Sequence, residues 1–397
     1  MQCRFCNHPL THTFCDLGKT PLSNSYLTKE ALDFVEEVFP LHAYICSHCL
    51  LVQLPQYCTP DAIFSEYAYF SSFSTTWLKH CEEYVEKMAL LLSPHSQVVE
   101  LASNDGYLLQ YFQKKGIPVL GIEPAKNVAD KAIEKGIPTL KQFFGKECAK
   151  NLDLTADLII ANNVLAHVPD LNDFVAGMKL LLKPNGRITL EFPHLLQLMA
   201  QNQFDTIYHE HFSYFSLCTL FHVFAHHELE VFDAEELPTH GGSLRLYLQH
   251  PKVRKIEKRV EVLLNKEREQ GLDCLESYTA FRKRVSSVKK AFLDFLTKHE
   301  GEVVAYGAPA KGNTFLNTCG VTNKQIPFTV DLNPYKQGRF LPGSHIPIEA
   351  PEKISLAKPK YLLLLPWNLK EEIMQQMAHI RSWGGKFVIP IPQLEIL

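Results

Sequence analysis

No stretch of the 397-residue chain approaches the ~20 consecutive apolar residues that a bilayer-crossing helix needs. Excess charge is equally scarce: 40 Lys and Arg stand against 43 Asp and Glu, a formal balance of -3. The first absence argues against a membrane partner, and the second removes the basic field that a nucleic-acid surface requires. The three spaced glycines of a dinucleotide fingerprint are missing too, so there is no ready cradle for a pyrophosphate. The N-terminus opens on a cysteine pair with no positive-then-apolar leader, and a cytoplasmic location is therefore expected. Of the 11 cysteines, Cys15, Cys58, Cys81, Cys148, Cys218, Cys274 and Cys319 are scattered singly, as reduced thiols are, with no disulfide framework.

What remains is a chain with 46% apolar residues and both charge signs interspersed. That composition suits a soluble globular protein of two or three domains, a monomer or small homo-oligomer. Cys3-Arg4-Phe5-Cys6 and Cys46-Ser47-His48-Cys49 are two C-x-x-C knuckles. Each can direct two thiolates at one ion from a tight turn, and together they close a tetrahedral zinc site with no position left for water, which makes the metal structural. His8, His42 and His48 lie near enough in sequence to replace a sulfur. Residues 1–58 hold too few apolar side chains to make a core unaided, so metal is expected to supply folding energy there.

The pattern then becomes α/β. Strands are predicted at 97–101, 118–122, 158–162 and 188–191, with helices at 106–115 and 125–135, an alternation that implies a doubly wound parallel sheet over 59–250. Residues 251–300 are charged and apolar at helical spacing, and read as amphipathic helices linking two lobes. Strands at 303–307, 328–330, 361–365 and 386–389 then give a smaller Rossmann-like α/β lobe over 301–397.

Candidate chemistry sits at the predicted strand ends. Glu100, Ala102, Asn104 and Gly106 follow the first strand, Glu123 at the end of the second can accept both hydroxyls of a ribose, and Asn162, Asn163 and His167 lie beyond the third. An acid on the second strand also suits NAD. Without the glycine fingerprint, S-adenosylmethionine, which carries no phosphate, fits better. Tyr208 to Ser216 is the densest run of acid-base groups: a histidine beside a carboxylate can act as a base, and tyrosine hydroxyls can donate to an oxyanion. A polar aromatic cluster at a domain interface, or a metal held by His209 and His211, would explain the same run. The segment from Tyr67 to Ser74 is either core packing or a lid.

In the last lobe, Gly307, Lys311 and Asn313 lie in a strand-loop-helix whose backbone amides can hold a diphosphate, and Asp331, Asn333, Lys336, His345, Trp367 and Asn368 come from neighbouring loops. A lobe that only braces the fold is the other reading. His240 to Arg245 is either a glycine bulge before an edge strand or a phosphate contact through Arg245.

Taken in order, the knuckles with Asp16-Leu17-Gly18 and Pro21-Leu22-Ser23-Asn24 between them, YAYFSSFS, VELASNDGYLL, GIEPA, DTIYHEHFSYFS, HGGSLR, YGAPAKGNTFLN, DLNPYKQGRFLPGSHIPI and PWNLKEEI give the chain a family likeness. It resembles the zinc-containing sugar C-methyltransferases that modify nucleotide-linked keto sugars, over nearly its whole length. The resemblance implies a class I methyltransferase sheet, a structural zinc on Cys3, Cys6, Cys46 and Cys49, and S-adenosylmethionine lined by Glu100, Asn104, Gly106 and Glu123. Ala102 stands where methyltransferases at large have glycine, and is expected only to tighten the turn. By the same resemblance His211 is the base, Glu210 holds its tautomer and charge, and Tyr69, Tyr208 and His167 are companions. The implied reaction removes a proton beside the ketone of a 4-keto-6-deoxy sugar, stabilises the enolate through Tyr69 or Tyr208, and methylates the carbon, C3, without a catalytic metal. Transfer to a sugar oxygen or nitrogen, an NAD-dependent oxidoreductase and a non-enzymatic zinc scaffold are the alternatives.

Overall fold

Alternation builds the first sheet. In β2 (Phe39–Ile45) every second side chain turns inward, with Leu41, Ala43 and Ile45 buried on one face, while its partner β1 (His12–Thr20) is interrupted by two register shifts that bring the adjacent Phe14 and Cys15 both inside. β3 (Val52–Gln53) pairs with β2, and its other edge is closed by a two-residue strand, Ser213–Tyr214, from the middle of the chain. The computed structural model describes residues 1–59 and 70–397.

The central sheet starts with β4 (Val98–Leu101), β5 (Val119–Ile122), β6 (Thr139–Leu140), β7 (Ala156–Asn162) and β8 (Leu182–Pro193). These five pair in parallel, and β4 and the middle of β7 read as nearly continuous apolar runs because both faces of the sheet are covered. Ser213–Tyr214 is β9. β10 (Glu230–Leu237) and β11 (Ser243–Gln249) add an antiparallel hairpin, giving the order β10-β11-β8-β7-β4-β5-β6. The chain leaves β4 toward one edge and returns on its other side with β7. A crevice therefore opens beyond the C-terminal ends of β4 and β7, where open α/β sheets bind ligands. This is the expected class I methyltransferase sheet. β11, however, is not an edge strand, because β10 lies outside it.

The last lobe contains β12 (Val303–Tyr306), β13 (Thr329–Val330), β14 (Ile348–Glu349), β15 (Tyr361–Leu364), β16 (Lys386–Ile389) and β17 (Glu395–Ile396), in the order β14-β13-β12-β15-β16-β17. Only β17 runs antiparallel. The linker helices are Lys258–Glu269, Leu275–Thr279 and Phe281–Lys298. The last buries Phe281, Val285, Val288, Phe292 and Phe295 at helical spacing. Phe14 of β1 stacks on Phe281 with ring centroids 4.9 Å apart, and one apolar core runs from β1 through Phe204 and this helix into the last lobe. The metal-binding segment thus shares its core with the rest of the chain, so zinc is not its sole source of folding energy. Among the described residues no helix is long and apolar enough to cross a membrane.

Candidate active site

The two knuckles are copies in conformation. Asn7 and Leu50, each next after the second cysteine, take left-handed φ values of 58° and 59°, and their amides donate to the carbonyls of Cys3 and Cys46. The four Sγ atoms lie within 4.8 Å of one another, with three of the separations at 3.6 Å. A tetrahedron of ~2.3 Å zinc–sulfur bonds requires sulfurs about 3.8 Å apart, so the four thiols fit one zinc ion. The histidine alternatives lie elsewhere: His8 stacks on His48 at 5.7 Å, and His42 bonds to Thr13 Oγ1 at 2.8 Å. Arg4, inside the first knuckle, donates to the carbonyls of Pro169 (2.7 Å) and Leu54 (2.5 Å) and lies over the ring of Phe212.

At the end of β4 the chain turns through left-handed residues. Ala102 and Asn104 have φ of 55° and 48°, and Gly106 has 74°. Asparagine tolerates this region, whereas alanine there costs roughly 1 kcal/mol. Ala102 therefore holds a left-handed backbone at a cost and does more than tighten the turn. A Cβ on Gly106 would come 2.9 Å from Ile137 Cγ1, so that glycine serves close packing against a neighbouring segment.

Glu123 Oε2 accepts from the amide of Asn104 (2.9 Å) and Oε1 from that of Ala125 (2.8 Å), which leaves one lone pair per oxygen for a ribose. Burial raises its pKa to about 7 against those two donors. Glu100 is fully buried beside the Tyr107 hydroxyl, and burial pushes its pKa well above the usual range. Its two oxygens, Ser103 Oγ, Asn162 Oδ1 and Asn163 Oδ1 are buried without a hydrogen bond of good geometry. The acceptors among them, the Glu100 and asparagine oxygens, fit the amino and hydroxyl groups of S-adenosylmethionine.

The loop carrying His211 is pinned by its backbone. The amide of Phe212 donates to Ala166 (2.7 Å), and its carbonyl accepts from Leu54 (3.0 Å). His211 Nδ1 lies 2.9 Å from the carbonyl of Thr206. A carbonyl only accepts, so Nδ1 carries the hydrogen and Nε2 keeps its lone pair. Tyr208 packs on the imidazole at 4.0 Å and His167 meets it edge-on at 4.7 Å. Burial, and then the charge of His167, hold His211 well below its ordinary pKa, while burial takes His167 to about 4.

Glu210 was expected to orient His211, and it does not. Side chains adjacent in a turn diverge: the Thr206 carbonyl fixes the tautomer, while Glu210 Oε1 accepts from Asn24 Nδ2 at 2.6 Å. Burial raises Glu210 to about 7, with Asn24 opposing. His209 turns away to the Pro40 carbonyl and the rings of Phe39 and Tyr57, so it shares no metal site with His211. Tyr69 lies outside the described residues.

In the last lobe, Lys311 Nζ donates to Asn368 Oδ1 (2.6 Å) and lies 4.4 Å from the centre of the Trp367 ring, while Trp367 Nε1 donates to Asp205 Oδ2 (2.7 Å). The Trp367–Asp205 bond places the last lobe against the residue next to Thr206, whose carbonyl orients His211. Beyond the end of β12 a crevice of about 210 Å³ is lined by Tyr306, Asp331, Leu332, Lys336 and Gln376. Asp331 accepts from the amides of Ala308 (2.7 Å) and Asn333 (2.8 Å), and Lys336 Nζ donates to the Ala308 carbonyl.

Several expected substrate contacts are structural here. Arg245 is buried and held by Glu191 (2.5 Å), with His80 at 3.0 Å, which rules out a phosphate contact. Asn313 is buried and donates to the Ser23 carbonyl, and His345 pairs with Glu36 at 2.8 Å. The amides of Gly307 and Ala308 are taken by the Val330 carbonyl and Asp331, which removes them from a diphosphate cradle.

Residues 3–64 match a family described as a zinc binding domain, residues 76–234 a methyltransferase domain, and residues 238–392 the C-methyltransferase C-terminal domain. The C-methyltransferase NovU of Streptomyces niveus is 35% identical over 406 residues, spanning 100% of this chain and 96% of that protein. The chain belongs to this family of zinc-binding C-methyltransferases. Among solved structures, magnesium protoporphyrin IX methyltransferase (ChlM) from Synechocystis PCC 6803 with bound SAM is 13% identical with a TM-score of 0.35, covering 44% of this chain and 79% of that one. An S-adenosylmethionine-dependent methyltransferase from Clostridium acetobutylicum ATCC 824 is 12% identical with a TM-score of 0.37, covering 44% and 92%. Membership of a C-methyltransferase family sets aside the dehydrogenase, the scaffold and transfer to oxygen or nitrogen.

Around this C-methyltransferase site stand residues to which the sequence assigned no role. Asn24 and Tyr26 bridge to Glu210 and to the Ala308 carbonyl, Asp205 anchors Trp367, and His240 faces Asn163. Asn24, Asp205 and His240 do lie inside motifs that carried the family likeness, which was the available signal.

Proposed function

We propose that this C-methyltransferase methylates C3, beside the ketone, of a nucleotide-linked 4-keto-6-deoxy sugar through a base-generated enolate. The observation carrying this reading is the bond from His211 Nδ1 to the Thr206 carbonyl, which leaves the Nε2 lone pair on a buried ring beside Tyr208 and His167. When bound, S-adenosylmethionine supplies a methyl made electrophilic by its sulfonium. His211 Nε2 takes the proton from C3, and the electron pair moves through C3–C4 onto the keto oxygen. Tyr208, and Tyr69 from outside the described residues, donate to that oxygen, and the enolate pair at C3 then forms the new C–C bond to the methyl.

Electrostatics around the base support a phosphorylated acceptor. The nearby positive charge of Lys311 disfavours a protonated His211, and a diphosphate held at Lys311 would neutralise it and restore basicity. The crevice at Tyr306, Asp331 and Lys336 offers the nucleoside end an acid at the tip of β13, where ribose hydroxyls are accepted in such lobes. The test is mass spectrometry with deuterium exchange on wild type and His211→Asn, given S-adenosylmethionine and a panel of nucleotide-linked 4-keto-6-deoxy sugars. A gain of one methyl with C–H exchange beside the ketone, both lost in the variant, is expected. Methylation without exchange, or without dependence on His211, overturns the reading.

A further inference from the structure

Between β10 and β11 the segment His240-Gly241-Gly242 passes through three consecutive left-handed residues, with φ of 55°, 91° and 116°. The two glycines are sterically required. A Cβ on Gly241 would come within 2.5 Å of the Trp367 ring, and one on Gly242 within 2.6 Å of Gln197 Cγ. His240 has the same backbone sign with a full side chain, at a cost of roughly 1 kcal/mol. Glycine would relieve that strain, so what the position gains from histidine lies in the ring. Backbone strain of this kind persists where a side chain must be presented in one place.

The ring is held on two sides. Trp77 packs against it at 5.3 Å, and Asn163 Nδ2 lies 3.3 Å from its Nε2. The amide nitrogen can only donate, so Nε2 accepts and Nδ1 carries the hydrogen. His240 is reachable by solvent, yet burial lowers its pKa to about 4, with Lys311 adding to the effect. Its neighbour Gly241 lies against the Trp367 ring, and Lys311 sits 4.4 Å from the centre of that same ring. Asn163 at the end of β7 and the Lys311–Trp367 pair therefore bracket His240, and Trp367 bonds to Asp205, the neighbour of Thr206, whose carbonyl orients His211. His240 therefore stays neutral at working pH and offers the site an N–H that no proton transfer consumes.

We propose that His240 Nδ1–H is a further catalytic hydrogen-bond donor, directed at the acceptor's carbonyl oxygen as that oxygen gains enolate charge. This rests on the enolate reading above. No proton changes hands at His240: the N–H bond stays intact, and a neutral imidazole stabilises the oxyanion without adding a second acid to the site.

Two variants and one spectrum test it. In His240→Gly the backbone strain is relieved, so the melting temperature and zinc content are expected to hold or rise and S-adenosylmethionine affinity to stay within twofold. Both kcat for methylation and the rate of C–H exchange should fall by about 10²-fold, with a far smaller change in KM. His240→Asn, which tolerates the same backbone, should fold equally well and recover little of the rate, because its amide is too short to reach. In ¹⁵N spectra of the wild type, the imidazole signal that disappears in His240→Gly should show the Nδ1–H tautomer at neutral pH. An Nε2–H tautomer, or a His240→Gly enzyme whose kcat and exchange rate stay near wild type, overturns the proposal and leaves the enolate reading standing. A wild type that neither exchanges nor methylates any member of the panel overturns the enolate reading and this role with it.

Discussion

Asn24 Nδ2 donates to Glu210 Oε1 across 2.6 Å of space and 186 residues of sequence. The donor belongs to the metal-bearing segment and the acceptor sits next to His211. Tyr26, two residues on, donates to the Ala308 carbonyl, so the same short stretch also touches the last lobe.

The bond sets a pH dependence. Glu210 ionises at about 7, raised by burial, with Asn24 favouring the charged form. If the ionised, Asn24-bonded carboxylate is the active form, kcat/KM falls as pH drops through about 7. Asn24→Ala removes the opposing donor, so its acid limb should move to higher pH by about one unit. In Glu210→Gln that limb should vanish. Because the folded pKa exceeds the unfolded one, Glu210 penalises folding at high pH. Glu210→Gln should accordingly raise the melting temperature at pH 8 and leave it unchanged at pH 4. pH–rate profiles and thermal melts check both.

Donor binding should follow Glu123. Its carboxyl, at about 7, accepts from both ribose hydroxyls most strongly when ionised, so S-adenosylmethionine should bind more tightly as pH rises through that value. Glu123→Ala is expected to weaken binding at least tenfold by calorimetry, roughly the loss of hydrogen bonds to a charged group. Binding unchanged in the variant would move the ribose elsewhere.

Glu191 is structural. Burial alone would raise its carboxyl, but His80 and Arg245 outweigh it and bring the pKa to about 2. Removing the charge leaves Arg245 buried and unpaired, so Glu191→Gln should destabilise the fold by ~3 kcal/mol in denaturant titrations. The lowered pKa means that the stabilisation is complete above the unfolded carboxylate range and is lost as pH falls through about 2.

Metal removal should act at a distance. Zinc holds the first knuckle, and Arg4 within it secures Leu54 and packs on Phe212, the residue after His211. Cys46→Ser should lose methylation in step with zinc content, while S-adenosylmethionine affinity, set by β4 and β5, changes less than tenfold. Atomic absorption beside activity and calorimetry measures all three.

Much of the scaffold was legible because it rests on local rules. The strands read at 97–101, 118–122 and 386–389 formed within a residue of those bounds, since buried parallel strands are short apolar runs between turn residues. The paired knuckles announced the four thiols that the fold draws together. Long-range polar contacts were not legible. No periodicity connects Asn24 to Glu210, the carbonyl orienting His211 belongs to a backbone that any residue would supply, and β9 has only two residues. Arg245 looked like a phosphate ligand because Glu191, its partner across the β8–β11 ladder, is identifiable only once the register is known.

The pairing of β3 with β9 has a practical consequence for anyone recombining these enzymes. A graft that exchanges the first 59 residues alone would cut a sheet whose edge strand stays behind in the recipient. It would also separate Arg4 from Phe212 and Asn24 from Glu210. Chimaeras that carry 204–216 along with the N-terminal segment should express and turn over, whereas those joined at the apparent domain boundary should misassemble. The exchangeable unit of this enzyme is therefore discontinuous in sequence.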